Sequence, residues 1–117
     1  MNISKIKLVI TALTGGVAGI IEYLLDLFND QVLAKIKDKE TGLMYLKDVR
    51  SLSTCAKEIL ENHSAQMSEA KTAAGQKTVD ALDELAKALE DFKLEPDELD
   101  AIVEKVKAAV EAWKAAK

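Results

Sequence analysis

Two apolar stripes in the C-terminal half most strongly limit what this chain can fold into. Each stripe repeats at intervals of three or four residues, which is the spacing of one face of an α-helix. The first stripe contains Val79, Leu82, Leu85, Ala86, Leu89 and Phe92, and the second contains Leu99, Ile102, Val103, Val106, Val110 and Trp113. Pro96 lies between them, where proline suits the first turn of a new helix. The short break predicts an antiparallel helical hairpin within residues 78–117.

The hairpin should be held together by apolar side chains from both stripes. The predicted packing residues are Leu82, Leu85, Leu89, Ile102, Val106 and Val110. Two helices alone bury little surface, so the hairpin must pack against the rest of the chain or against another copy. Ala, Leu, Lys and Glu are abundant while aromatic residues make up only 4%, which favours helices. The sequence therefore predicts an all-α fold, a small helical bundle of three to five helices.

The chain before the hairpin divides into three segments. Residues 1–40 form an apolar N-terminal helical segment, and residues 41–63 form a central amphipathic helix. Gly42 is expected in a loop or at a helix C-cap. Residues 64–77 are small and polar, so a linker and a weak helical continuation both stay open. Thr78 is the expected N-cap of the first hairpin helix.

The longest uncharged run, from Leu8 to Ile21, lies in the N-terminal segment. Its fourteen residues are fewer than the roughly 17–25 that a membrane-spanning helix needs. The apolar stretch reaches Phe28 only if Glu22 and Asp26 are included. Because so much apolar surface must be covered by protein or lipid, we predict contact residues for another chain or a membrane. They are Ala12, Gly15, Gly16, Gly19, Ile20, Leu24 and Phe28. Membrane contact through residues 8–28 stays possible, and burial against protein is favoured.

The glycines of this segment allow two interpretations. Gly15 and Gly19 are four residues apart, a spacing that lets two helix backbones approach closely. The adjacent Gly15 and Gly16 are also typical of a turn, which would separate the preceding residues from a helix beginning near Val17. Close helix packing and a chain break therefore both stay open.

Charge is distributed unevenly along the chain. The net charge is −4, with ten bases and nine acids in residues 1–77 and six bases and eleven acids in residues 78–117. Arg50 is the only arginine. An acidic C-terminal part with almost no arginine is a poor match for phosphate backbones or guanine edges. We therefore expect no nucleic-acid partner.

The chain shows no residue pattern that predicts catalysis or metal binding. Cys55 and His63 are the only residues of their types, so the sequence offers neither an intrachain disulfide nor a Cys/His ligand set. Cys55 is expected to be a small buried helix residue. Adjacent acids such as Asp83 and Glu84 lie on predicted polar faces, where they should be solvated. We expect a non-enzymatic protein without a cofactor or metal.

The chain opens with MNISKIKLVITAL, continues with a lysine-rich polar segment and a helix, and later contains LEPDELDAIVEKVKAAV. This layout resembles that of small phage holin-like proteins of the LLH type. The resemblance extends over most of the chain, although Glu22 and Asp26 interrupt the apolar stretch. It implies a phage origin and membrane-associated oligomers, and it supplies no site residues.

These patterns predict a helical assembly or structural protein, a phage or mobile-element component that self-associates through its N-terminal apolar helix. Two alternatives stay open, a holin-like membrane-associated oligomer and a soluble helical-hairpin adaptor that binds another protein. The expected partners are further copies of the chain or other protein subunits. A cytoplasmic or virion-associated location follows from the first prediction, and an inner-membrane location follows from the holin-like alternative.

Overall fold

A computed structural model describes residues 17–91 and 93–116 of the chain. These residues form five α-helices, two short 3-10 helices and no strand. The α-helices are α1 (Val17–Gln31), α2 (Lys39–Met44), α3 (Leu46–His63), α4 (Glu69–Glu90) and α5 (Pro96–Ala115). The 3-10 helices are Leu33–Lys35 and Ser64–Gln66. The predicted all-α helical bundle is confirmed.

Helices α4 and α5 form the antiparallel hairpin. Polar contacts join them along their length, including Lys71 Nζ to Trp113 O at 2.7 Å, Thr78 Oγ1 to Ala109 O at 3.1 Å, and Lys105 Nζ to Glu84 Oε2 at 2.9 Å. The residue numbers rise along α4 as they fall along α5, so the helices run in opposite directions. Among the predicted packing residues, those with buried side chains are Leu82, Leu85, Leu89, Val106 and Val110. Ile102 is partly buried and packs against the same core.

The core lies where α1, α3, α4 and α5 meet, and it includes the apolar face of α1. Ile20, Leu24 and Phe28 are 5%, 2% and 0% exposed. The chain itself covers these three side chains, so their burial needs neither lipid nor another copy. Gly19 is exposed at the start of α1. Of the other predicted contact residues, Ala12, Gly15 and Gly16 lie outside the described residues.

Helix α4 begins well before the predicted start at Thr78. Of the two alternatives left open for residues 64–77, the structure shows helix from Glu69 onward. Ser68 is the N-cap, and its side chain accepts a hydrogen bond from Lys71 N at 3.0 Å. Thr78 is buried within the helix. Gly75 is also buried, and a Cβ there would lie 2.8 Å from Trp113 Cε2. This part of α4 packs with small residues because it must make room for the indole ring.

The predicted boundary between the N-terminal segment and the central helix, near residue 41, falls inside α2. Asp38 caps this helix by accepting a hydrogen bond from Thr41 N at 2.8 Å. Gly42 is buried within the helix, and a Cβ there would collide with the side chain of Leu89. The glycine therefore serves close packing of α2 against α4 and does not mark a helix end.

Candidate functional site

An open groove runs along the outer face of the α4–α5 hairpin. Its volume is about 530 Å³. Alanines form most of its lining, with Ala70, Ala73, Ala74 and Ala81 from α4 and Ala108, Ala109 and Ala112 from α5. Because methyl groups are small, another chain could approach the two helix backbones closely along this face.

The groove lies along one part of an alanine repeat on each helix. Alanines recur every seven residues as Ala74, Ala81 and Ala88 on α4 and as Ala101, Ala108 and Ala115 on α5. Of these, Ala74, Ala81 and Ala108 line the groove, and the other three lie beyond its lining. Seven residues are close to two helical turns, so each set stays on one side of its helix. The Glu84–Lys105 ion pair shows the register of the hairpin, in which Ala81 is level with Ala108. This spacing is visible in the sequence, but it involves alanines and not the large apolar residues that mark the core face of a helix.

Four charged residues complete the lining of the groove. They are Lys77, Asp80, Glu84 and Lys105. Glu84 and Lys105 form an exposed ion pair, which contributes little to stability because water screens it. Asp80 accepts a hydrogen bond from Gln76 Nε2 at 3.1 Å. Two acids and two bases give this surface no net charge, which suits a protein ligand better than a polyanion.

One end of the groove is anchored where α1, α4 and α5 meet. Lys71 Nζ donates hydrogen bonds to Trp113 O at 2.7 Å and Lys114 O at 3.5 Å, so it satisfies carbonyls in the last turn of α5. Burial lowers the pKa of Lys71, and the nearby charge of Glu22 opposes this shift. Lys114 donates a hydrogen bond to Asp26, which raises the pKa of Lys114. These contacts hold the two helix ends beside the groove in place.

A second polar cluster joins α3 to α4. Ser53 is 4% exposed, and its Oγ donates a hydrogen bond to Asp83 Oδ1 at 2.6 Å. Lys57 Nζ lies 3.3 Å from Asp83 Oδ2. The bond from Ser53 is the main cause that lowers the pKa of Asp83, and Lys57 adds to it. Asp83 is thus a link between helices and not only a solvated charge. The sequence offered no signal for this, because Ser53 has no distinctive local pattern.

Replacing Ser53 with Ala should destabilise the protein in a pH-dependent way. Because the pKa of Asp83 lies below its ordinary value of 3.8 in the folded state, its stabilising effect is present above that value. The effect is lost as the pH falls through the folded-state pKa. We expect Ser53→Ala to lower the free energy of unfolding by about 1 kcal/mol at neutral pH, since Asp83 is partly exposed, and by less near pH 3.

Urea denaturation at the two pH values measures this difference. Thr54→Ala is the matched control, because Thr54 is the exposed neighbour of Ser53 on α3. Its effect should not depend on pH. An equal loss of stability for Ser53→Ala at both pH values would contradict the role assigned to the hydrogen bond.

Within residues 17–91 and 93–116, no group of three or more His, Cys, Asp or Glu side chains could hold a metal ion. Over the same two ranges, no helix is both long and apolar enough to cross a membrane. Cys55 is buried in α3, as predicted. No family model, curated protein or solved structure matches the chain.

Proposed function

We propose that the protein is a non-enzymatic assembly protein whose copies bind one another through the groove on α4 and α5. The alanine lining is the observation that carries this proposal. It places apolar surface from two helices on the outside of the bundle, over a volume of about 530 Å³. Burying such surface against a second chain is favourable, and the small side chains allow close contact.

A second copy is the proposed partner because the chain also supplies an apolar ligand. Among the residues whose burial the structure describes, Ile20 and Ile21 of the uncharged run Leu8–Ile21 lie in the core. The part of this run that precedes α1 includes Leu8, Val9, Ile10 and Leu13, which is the kind of composition that would pack on an alanine-lined surface. A contact between two different surfaces of identical chains is heterologous, and it builds rings or filaments. Such assemblies fit a structural role.

This proposal keeps the self-association predicted from the sequence and changes the surface that receives the partner. The proposed binding surface is the groove on the hairpin, and no longer the apolar face of α1. A phage or mobile-element origin, a virion-associated or cytoplasmic location and the holin-like resemblance stay predictions from the sequence alone.

Sedimentation velocity of the full-length protein tests this function. The parent should self-associate as its concentration rises. Ala108→Arg should weaken the association at least about tenfold, because the long charged side chain would occupy the groove. Ala108 is exposed, so the variant should fold normally, and circular dichroism can verify this.

Ala101→Arg is the matched control, since Ala101 is exposed on the same helix but does not line the groove. This control should associate like the parent. A parent that stays monomeric up to about 1 mM would overturn the proposed function. So would equal association of the Ala108→Arg variant and the parent.

A further inference from the structure

We infer that two copies of the chain associate through one end of the bundle, where helix α2 lies beside the turn between α4 and α5. Leu43 and Met44 of each copy pack against the same pair of the other copy, and the charges around them fix the orientation. This contact goes beyond the proposed function, because it uses none of the residues that line the groove.

The junction of α2 and α3 carries a run of four large apolar residues outside the core. Leu43, Met44, Tyr45 and Leu46 follow one another in the sequence, and none of them is buried. Leu43 is 47% exposed and Met44 is 71% exposed. Among residues 19–91 and 93–116, Tyr23 is the other exposed large apolar side chain. Consecutive apolar residues in contact with water are unfavourable and are typical of a contact surface.

The packing of α2 explains why these side chains stay outside the core. Gly42 is the residue that α2 turns toward α4, since a Cβ there would collide with Leu89. At about 100° per residue, Met44 lies about 200° around the helix from Gly42, so it points away from α4. Lys39 Nζ donates a hydrogen bond to Asp91 O at 2.7 Å, which holds α2 against the end of α4. The exposed pair is therefore presented on a helix that is fixed in place.

Opposite charges lie side by side at this end of the bundle. Residues 35–50 contain five bases and three acids, and residues 90–100 contain one base and six acids. The ion pair between Arg50 and Glu90 joins the two segments. A surface with a positive part beside a negative part is complementary to itself under a twofold rotation, because each positive part then faces the negative part of the other copy. This complementarity is the reason for choosing a second copy as the partner.

Both charged parts offer side chains that a partner can reach. Lys37 and Lys47 of the basic segment and Glu95 and Glu98 of the acidic segment are exposed. They surround a small apolar contact, and contacts of small area are typical of weak complexes. We therefore expect a weak dimer whose population rises with concentration and falls with added salt.

Sedimentation equilibrium of the full-length protein carrying Ala108→Arg tests this inference, because that substitution closes the groove and leaves the end of the bundle unchanged. This protein should form dimers as its concentration rises. Adding Met44→Lys should weaken dimerisation at least about tenfold, because it places a charge against apolar side chains. Tyr23→Lys is the matched control, since Tyr23 is 51% exposed on α1, where nearby Asp26 pairs with Lys114 in the last turn of α5. Adding this control should leave dimerisation unchanged.

Charge reversal in the same Ala108→Arg protein tests the twofold arrangement. The basic-segment variant carries Lys37→Glu and Lys47→Glu, and the acidic-segment variant carries Glu95→Lys and Glu98→Lys. At low ionic strength, each variant alone should dimerise about tenfold more weakly. An equimolar mixture should recover dimers, because both charged contacts of the mixed dimer then join opposite charges.

Glu61→Lys with Glu69→Lys is the matched control for the acidic-segment variant. Both residues are exposed, and Glu69 lies in the first turn of α4 as Glu98 does in α5. The control should dimerise like the Ala108→Arg protein. Mixing it with the basic-segment variant should not recover the dimers that this variant has lost.

The outcomes separate this inference from the proposed function. An Ala108→Arg protein that stays monomeric up to about 1 mM would overturn the inference, as would a mixture of charge-reversed variants that stays dissociated. If that monomeric protein binds phosphatidylglycerol vesicles and Met44→Lys abolishes the binding, the surface belongs to a lipid partner and the inference is wrong. If the parent associates no further than the Ala108→Arg dimer, the proposed function fails and the contact at the end of the bundle stands.

Discussion

Replacing Leu85 with Asp should lower the free energy of unfolding by about 4 kcal/mol or more. Leu85 is 0% exposed on the side of α4 that faces the core. The substitution removes a buried apolar side chain and places a carboxylate within the apolar core, which combines two of the costliest changes in a protein interior. Since small domains are stable by about 5–15 kcal/mol, this variant should be close to unfolded.

Val106→Asp should have a similar effect from the opposite helix, because Val106 is also 0% exposed. Ala101→Asp is the control for the added charge, since Ala101 is exposed on the same helix, and it should change stability by no more than about 0.5 kcal/mol. Guanidinium denaturation followed by circular dichroism measures all three variants. Unchanged midpoints for Leu85→Asp and Val106→Asp would rule out the hairpin packing.

Replacing Trp113 with Ala should lower the free energy of unfolding by about 3–5 kcal/mol. Trp113 is 1% exposed, and it lines the same small core space as Leu24 of α1 and Leu52 of α3. Truncation would therefore open a cavity where three helices meet, and the rigid backbones around it could close it only in part. Equilibrium denaturation of the purified variant measures the loss.

Trp113→Phe separates the loss of the ring from the loss of the indole N–H. Trp113 Nε1 has no hydrogen-bond partner among the described residues, so removing it should cost little, and the smaller ring should cost about 1–2 kcal/mol.

Gly75→Ala provides a second check, because its Cβ would lie 2.8 Å from Trp113 Cε2. It should destabilise the parent more than it destabilises Trp113→Ala, by about 1 kcal/mol. Additive effects would contradict the close contact.

The groove could be predicted from the sequence only in part. The seven-residue spacing of alanines is visible on both helices. Alanine, however, is the commonest helix-forming choice and buries little area, so its spacing does not reveal whether a strip faces the core or the surface. The charged part of the lining depends on the register of the hairpin. That register becomes known only once Glu84 is found beside Lys105.

The sequence by itself determined the all-α class and the hairpin, because helical periodicity and Pro96 are local signals. Only the tertiary structure decided that the first half of α4 packs against α5. Gly75 and Thr78 are buried there because Trp113 and Ala109, far along the chain, pack against them. The apolar face of α1 was likewise evident from the sequence, but the sequence did not show which surface covers that face. The hydrophobic effect is non-directional, so lipid, another copy or the chain's own core could each cover that face, and the packing of α3 and α5 selects the core.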